Sequence, residues 1–146
     1  MFLEIDNHNA THINLLANFI NSLGTSQQSF RYFGSRPIKV INNHVCTVLL
    51  LENNKPIGYA HLDKEEENVW FGIALAEGHT GKGLGDKIIR YVLEKSEQLN
   101  IYELKLSVDE NNQSAIRLYK KYGFQLFKKS NNTLFFNRKS KMHDGI

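Results

Sequence analysis

The sequence has one cysteine, two prolines and a single tryptophan among its 146 residues. Because Cys46 is alone, no disulfide can form within the chain, and its apolar surroundings (HVCTVLLL) favour a buried strand position over a nucleophile. No apolar run approaches the roughly 20 residues that a membrane-spanning helix needs. The N-terminus also lacks the basic start and apolar stretch of a signal peptide. We therefore expect a cytoplasmic protein without a membrane partner.

The sequence also lacks a large excess of charge of either sign. The formal net charge is only +3, and the basic residues are scattered rather than gathered into a stripe with interleaved aromatic residues, which argues against nucleic acid as a partner. A mild positive excess would suit an anionic small molecule, since attraction to phosphates raises the encounter rate. The length allows one hydrophobic core of ordinary size and predicts a single domain over residues 1–146.

Short strands and amphipathic helices alternate along the chain without an internal repeat or a low-complexity linker, which predicts a mixed α/β domain. Apolar residues at helical spacing predict helices over about 13–23, 84–94 and 114–122. The stretch 25–37 fits a loop or short helical turns better than a strand. The predicted strands are Phe2–Ile5, Val45–Glu52, Ile57–Asp63, Val69–Leu75, Ile101–Val108, Phe124–Lys129 and Thr133–Arg138.

The most informative segment is HTGKGLGDKIIRYVL, in which Gly81, Gly83 and Gly85 lie between a predicted strand and a strong helix. Glycines let the backbone approach a ligand closely and turn successive N–H groups inward. The helix that follows offers its positive N-terminal end to a phosphate. This position predicts a binding site for a pyrophosphate.

Two common phosphate-binding motifs fail on spacing. A dinucleotide-binding G-x-G-x-x-G would need glycine at position 86 or 88, which are Asp86 and Ile88. A Walker loop that starts at Gly78 would need lysine followed by serine or threonine where the chain has Leu84 and Gly85. Neither a Rossmann site nor an NTPase is indicated.

The loop Thr80-Gly81-Lys82-Gly83-Leu84-Gly85 resembles the acetyl-CoA loop of the GNAT acetyltransferase superfamily, whose pattern is Gln or Arg, two residues, Gly, one residue, then Gly or Ala. Both glycines of the pattern match, and only the leading Gln or Arg is replaced, by Thr80. A second segment, NQSAIRLYKKYGF at 112–124, resembles the family's other CoA-binding segment, a helix that ends in Gly-Phe. The resemblance covers about 45–136.

The resemblance implies a central, mostly antiparallel twisted sheet of about six to seven strands flanked by about four helices. It also implies direct transfer of acetyl from acetyl-CoA to a primary amine, without a metal ion. The backbone of 73–76, including Ile73 and Leu75, would pair with the pantetheine arm like an added strand, and Asn112 would contact the same arm or cap its helix. The residues implied to hold the pyrophosphate are Thr80, Gly81, Lys82, Gly83, Leu84, Gly85 and Asp86.

Tyr119 matches the family's tyrosine that commonly protonates the leaving thiolate, although spacing alone also fits it to the apolar face of its helix. Many members use a carboxylate on the fourth strand as the base, and this sequence has none between Val69 and Leu75. The remaining candidates are His61, Asp63, His44 and a water molecule. We prefer His61 because an unperturbed imidazole has a pKa of about 6.5, and a purely structural role for it stays open.

The acceptor pocket in this family usually includes the early helices and their loop. Arg31, Tyr32 and Arg36, with His44, are the predicted substrate-binding residues. The two arginines and Tyr32 favour an anionic small-molecule acceptor such as an amino sugar carried on a nucleotide, and a lid that packs on the core with its arginines solvated stays open. A protein amine, a polyamine, a hydroxyl acceptor and a CoA-binding module without catalysis all stay open, and a strongly acidic pocket would favour polyamines. Exposed strand edges in this family often pair into homodimers, but the sequence leaves the oligomeric state open.

Overall fold

The computed structural model describes residues 1–23, 41–42, 44–76, 78–79, 81 and 83–140. The segment 25–37, predicted as a loop or short turns, lies outside these ranges. None of the described helices is long and apolar enough to cross a membrane. The elements are β1 (Phe2–Glu4), α1 (Ala10–Asn21), β2 (His44–Glu52), β3 (Lys55–Glu65), β4 (Asn68–Leu75), α2 (Leu84–Gln98), β5 (Glu103–Asp109), α3 (Gln113–Lys121), β6 (Gln125–Ser130) and β7 (Thr133–Lys139).

The strands form one seven-stranded sheet in the order β1-β2-β3-β4-β5-β7-β6. Every neighbouring pair is antiparallel except β4 and β5, which are parallel. The predicted strands and their mostly antiparallel arrangement are confirmed. Three helices flank the sheet within the described residues, each at the place that apolar spacing predicts.

The hairpin turns are formed by residues that tolerate a left-handed backbone. Asn53 and Asn54 both have positive φ, 54° and 64°, in the two-residue turn between β2 and β3, a geometry for which asparagine is favoured. Asn131 has φ 55° in the β6–β7 turn. The acidic tip of the β3–β4 hairpin turns at Glu66, with φ 56°. These local signals fix the registers of three antiparallel pairs.

The sheet is covered on both faces, so the core has two layers. Helices α2 and α3 cover one face, where the larger core cluster includes Leu62, Phe71 and Leu106. Helix α1 covers part of the other face through Leu16 and Phe19. Side chains alternate between the faces along each strand, so the sequence pattern of a strand determines which residues face each layer.

Gly58 of β3 allows α2 to approach the sheet closely. A Cβ built at Gly58 would lie 2.6 Å from Cδ1 of Ile88, a distance at which the two groups would collide. Ile88 itself is 1% exposed. Because Gly58 is also paired with Leu75 at the end of β4, this contact fixes the position of the first turns of α2 relative to the end of that strand.

We therefore expect Gly58→Ala to lower the free energy of unfolding by about 1–3 kcal/mol through overpacking. Ile88→Val removes the methyl group that would collide and should by itself cost about 0.5–1.5 kcal/mol. The double variant should be more stable than the sum of the two single effects predicts, as measured by urea unfolding. Strictly additive effects would show that the Gly58–Ile88 contact does not limit the approach of α2.

Candidate active site

The sheet opens between β4 and β5. Strand β4 pairs with β3 along its whole length, from Asn68 to Leu75, but it pairs with β5 only at Trp70 and Lys105, near the start of both strands. Beyond that bridge the two strands diverge. A cleft of about 760 Å³ lies at the opening and is lined by residues of both strands and of α2 and α3.

Divergence leaves one backbone edge of β4 without a neighbouring strand. The amide of Ala76 donates to the carbonyl of Ile57 at 2.9 Å, and in an antiparallel pair hydrogen-bonded residues alternate with non-bonded ones. The backbone groups of Gly72 and Ala74 therefore point to β3, and those of Ile73 and Leu75 point to the open edge. The two strand residues predicted to bind the cofactor thus have unpaired backbone groups facing the cleft, whereas the Ala76 amide is already bonded.

The glycine loop borders the same cleft. Gly81 and Gly83 have φ of 77° and 75°, and a Cβ on either would meet no atom within 4 Å, so open space lies over both. Gly85 has a different role, since its Cβ would lie 3.0 Å from Leu118 of α3. All three line the cleft. Among the other predicted loop residues, Thr80 and Lys82 lie outside the described residues, and the side chain of Leu84 packs against the larger core cluster.

The side chain of Asp86 joins two helices. Its Oδ1 accepts hydrogen bonds from Nζ of Lys121 at 2.6 Å and from the hydroxyl of Tyr122 at 2.9 Å. These two bonds, with Lys121 the larger cause, hold the pKa of Asp86 below its usual value. Sequence spacing gave no signal for this contact between the start of α2 and the end of α3. It fixes the helix whose first turn carries Gly85.

Asn112 lies where α3 begins and lines the cleft. Its side chain accepts a hydrogen bond from the amide of Ala115 at 3.3 Å, so the prediction that it caps the helix is confirmed. A capping side chain at the rim of a cleft is held in one orientation, and its amide nitrogen remains a donor.

Tyr119 lines the cleft from α3 and is 6% exposed. Its ring packs edge-on against Phe71 and Phe124, with ring centroids 6.3 and 5.9 Å apart. Burial raises the pKa of the Tyr119 hydroxyl above its usual value, so the phenol is protonated at neutral pH. Both sequence interpretations are therefore compatible, since the ring belongs to the core cluster and also borders the cleft.

The three candidate bases lie together on the opposite face of the sheet. The rings of His44 and His61 are 4.6 Å apart, and His44 is opposite Asp63 in the β2–β3 register. His61 and Asp63 line the cleft. Burial lowers the pKa of His44 to about 4 against the opposing effect of the Asp63 carboxylate, so His44 is uncharged at neutral pH.

Carboxylates and aromatic rings also line the cleft on the face of the sheet that carries His61. Asp63 and Glu65 share a face of β3 with His61, and Asp109 of β5 lines the same cleft. Trp70 and Phe135 also line the cleft, with ring centroids 6.2 Å apart. The described lining contains no lysine or arginine. The shared strand parity of Glu65 and His61 is readable from the sequence.

The predicted acceptor residues Arg31, Tyr32 and Arg36 lie outside the described residues. His44 is described, but it is not among the described residues that line the cleft. It contacts His61 instead, and its Nδ1 lies 2.8 Å from the hydroxyl of Thr47.

Comparison with known proteins agrees with this geometry. Residues 7–124 match the model of the Acetyltransferase (GNAT) family. The spermine/spermidine N(1)-acetyltransferase of Bacillus subtilis strain 168 is 38% identical over 79 residues, which are 51% of this chain and 48% of that protein. The chain therefore matches about half the length of this curated relative.

Solved structures of low sequence identity share the fold. A GNAT-family acetyltransferase from Streptococcus pneumoniae superposes with a TM-score of 0.77 at 18% identity, covering 95% of this chain and 99% of the other. The PaiA N-acetyltransferase of Thermoplasma acidophilum, solved in complex with coenzyme A, gives 0.75 at 15% identity, covering 96% and 98%. Since the family model covers residues 7–124, which include the glycine loop and both β4 and β5, this chain belongs to the GNAT acetyltransferase family.

Proposed function

We propose that this protein transfers the acetyl group of acetyl-CoA directly to a primary amine of a small polycation, of which a polyamine is the simplest example. The observation that carries the proposal is the cleft itself, which opens on both faces of the sheet. The glycine loop, Asn112 and Tyr119 lie toward one face, and His61 with three carboxylates lies toward the other. A thioester bound between β4 and β5 would be accessible to side chains from both faces of the sheet.

The end near α2 suits the CoA chain. The unpaired backbone edge at Ile73 and Leu75 offers amides and carbonyls to the amide groups of pantetheine. Gly81 and Gly83 leave room for a pyrophosphate beside the N-terminus of α2, where the helix dipole favours negative charge. These contacts come from the backbone, so the replacement of the family's leading Gln or Arg by Thr80 does not remove them.

The face of the cleft that carries His61 suits a cation. Asp63, Glu65 and Asp109 would attract ammonium groups, and Trp70 and Phe135 offer ring faces and apolar surface to the methylene chain between them. The same carboxylates would repel the phosphates of a nucleotide-linked amino sugar. The matched relative is a spermine/spermidine N(1)-acetyltransferase, which supports a polyamine over the other acceptors that the sequence leaves open.

The residues of this chain would act on two protons. His61 accepts the proton that the acceptor ammonium must lose before its nitrogen attacks the thioester carbonyl, and then releases it to solvent. The C–N bond forms as the C–S bond breaks, and Tyr119 gives its proton to the departing sulfur. The attacking nitrogen loses its second proton to solvent as the amide forms, and solvent returns a proton to the Tyr119 oxygen. Burial in the same cleft disfavours both a phenolate and a thiolate, so proton transfer from Tyr119 accompanies the departure of the sulfur.

Acetyl-CoA binding is tested by a thermal-shift titration with ATP and NAD as controls. At 100 times the dissociation constant, ligand should add roughly 2.7 kcal/mol of stability, a shift of several degrees for a domain of this size. Gly83→Asp should weaken binding through charge and backbone strain. Gly83→Asn has nearly the same shape and tolerates positive φ better, so it should bind more tightly than Gly83→Asp. No shift for the unmodified protein at saturating acetyl-CoA would overturn the proposed site.

Removing the Tyr119 hydroxyl tests its proposed role as the proton donor. Tyr119→Phe should lower kcat roughly 10²-fold, since general acid catalysis typically contributes 10²–10⁴-fold, with little change in acetyl-CoA affinity. The ring is retained, so its packing on Phe71 and Phe124 should persist. Equal kcat in the variant and the unmodified protein would exclude Tyr119 as the proton donor.

The proposed attraction between the cleft carboxylates and a cationic acceptor is tested with spermidine. Glu65→Gln should raise KM for spermidine about two- to fivefold, because an exposed charge pair contributes up to about 1 kcal/mol, and the increase should shrink at high ionic strength. Glu97→Gln, which removes an exposed charge on α2, is the matched control. A higher kcat/KM for a nucleotide-linked amino sugar than for spermidine would contradict the polycation assignment.

A further inference from the structure

A hydrogen bond between two buried side chains holds the ring of His61. The hydroxyl of Tyr59 lies 2.7 Å from Nδ1 of His61, and the two residues are 0% and 3% exposed. They are two positions apart on β3, so both side chains lie on the same face. The ring of Tyr59 is itself fixed, because it stacks on Phe19 of α1 with ring centroids 5.7 Å apart.

Gly72 provides the surface on which the imidazole lies. It is the register partner of His61 on β4, and a Cβ built there would lie 2.5 Å from Cε1 and 2.6 Å from Nε2 of His61. Any other residue would push the ring away. The absence of a side chain at position 72 therefore places the Nε2 edge of the imidazole against β4, where the cleft begins.

Several groups face His61 from the described neighbours. His44 and Thr47 approach from β2, Tyr59 and Asp63 lie on its own strand, and β4 presents Gly72 and Trp70. His44 is uncharged at neutral pH because burial lowers its pKa to about 4. Among these groups, the Tyr59 hydroxyl is the one that lies within hydrogen-bond distance of Nδ1.

We infer that Tyr59 is a positioning residue. Its hydroxyl oxygen accepts a hydrogen bond from Nδ1–H of His61, which leaves Nε2 unprotonated with its lone pair facing the cleft. This inference rests on the proposed role of His61 as the base. When Nε2 takes the proton of the acceptor ammonium, the ring becomes an imidazolium. Its Nδ1–H bond to the Tyr59 oxygen then strengthens, because hydrogen bonds from charged donors are stronger than those from neutral ones. One N–H bond of the ammonium breaks as the Nε2–H bond forms, and the Nδ1–H bond of His61 stays intact.

The tautomer is measured directly by ¹⁵N-detected NMR of the imidazole nitrogens in the full chain, without substrate, at a pH where His61 is neutral. In the unmodified protein His61 should have a protonated Nδ1 and an unprotonated Nε2. In Tyr59→Phe, the Nε2-protonated form should become populated, because the acceptor for Nδ1–H is gone. A protonated Nε2 in the unmodified protein would overturn the inference.

Kinetics give a second readout. Loss of the Tyr59 acceptor destabilises the imidazolium, so the acidic limb of the kcat/KM profile should move to lower pH by about one unit. kcat/KM near neutral pH should fall about tenfold, less than the 10²–10⁴-fold loss expected when a general base is removed. Tyr59→Phe keeps the ring stacked on Phe19, so a purely structural role would lower Tm and leave the acidic limb in place.

Two further variants separate the causes. Tyr91→Phe removes a different tyrosine hydroxyl, one that donates to Glu4 at 2.9 Å outside the cleft, and should move neither the tautomer nor the pH profile. Gly72→Ala leaves the Tyr59 hydroxyl in place but displaces the ring, so it should lower kcat/KM as well. An unchanged kcat/KM in Gly72→Ala would contradict the assigned ring position.

The proposed function and this inference fail in different ways. If His61→Ala retains the acidic limb, His61 is not the base, although the NMR result can still show that Tyr59 sets its tautomer. If His61→Ala loses the limb while Tyr59→Phe changes neither tautomer nor profile, His61 is the base and the positioning role of Tyr59 is refuted.

Discussion

The rest of the site depends on the single bridge that joins β4 to β5. The two strands are parallel and pair only at Trp70 and Lys105, so each then presents an edge without a neighbour. A sheet normally hides such an edge because unpaired backbone groups are costly to bury. Here the edge borders a cleft of about 760 Å³, in which a ligand with its own amide groups can satisfy it.

The opening also connects the two faces of the sheet. On the side of α2 and α3, the helix N-terminus and loop glycines favour an anion, and Tyr119 is kept protonated by burial. On the other side, carboxylates and rings favour a cation. In the proposed reaction, these opposite electrostatic preferences on the two faces of one cleft would give each of the two substrates its own orientation. This separation suits direct transfer between bound molecules.

Local chemistry explains how much could be predicted from the sequence. Asparagines in the hairpin turns, the cap at Asn112 and the apolar spacing of α2 each act within a few residues, so the elements and the family resemblance were readable. Contacts between distant residues were not. The bond from Lys121 to Asp86 joins residues 35 positions apart, and the expectation that the acceptor is anionic came from residues that the structure does not describe.

The sequence by itself determined the order of the elements, the glycine loop with its open backbone and the family to which the chain belongs, because these depend on patterns of neighbouring residues. Only the tertiary structure decided where the sheet divides, that Tyr59 and Gly72 hold His61 from two strands, and that Glu65 and Asp109 both line the cleft. The reason is physical, since strand register and divergence arise from packing between segments far apart in the chain.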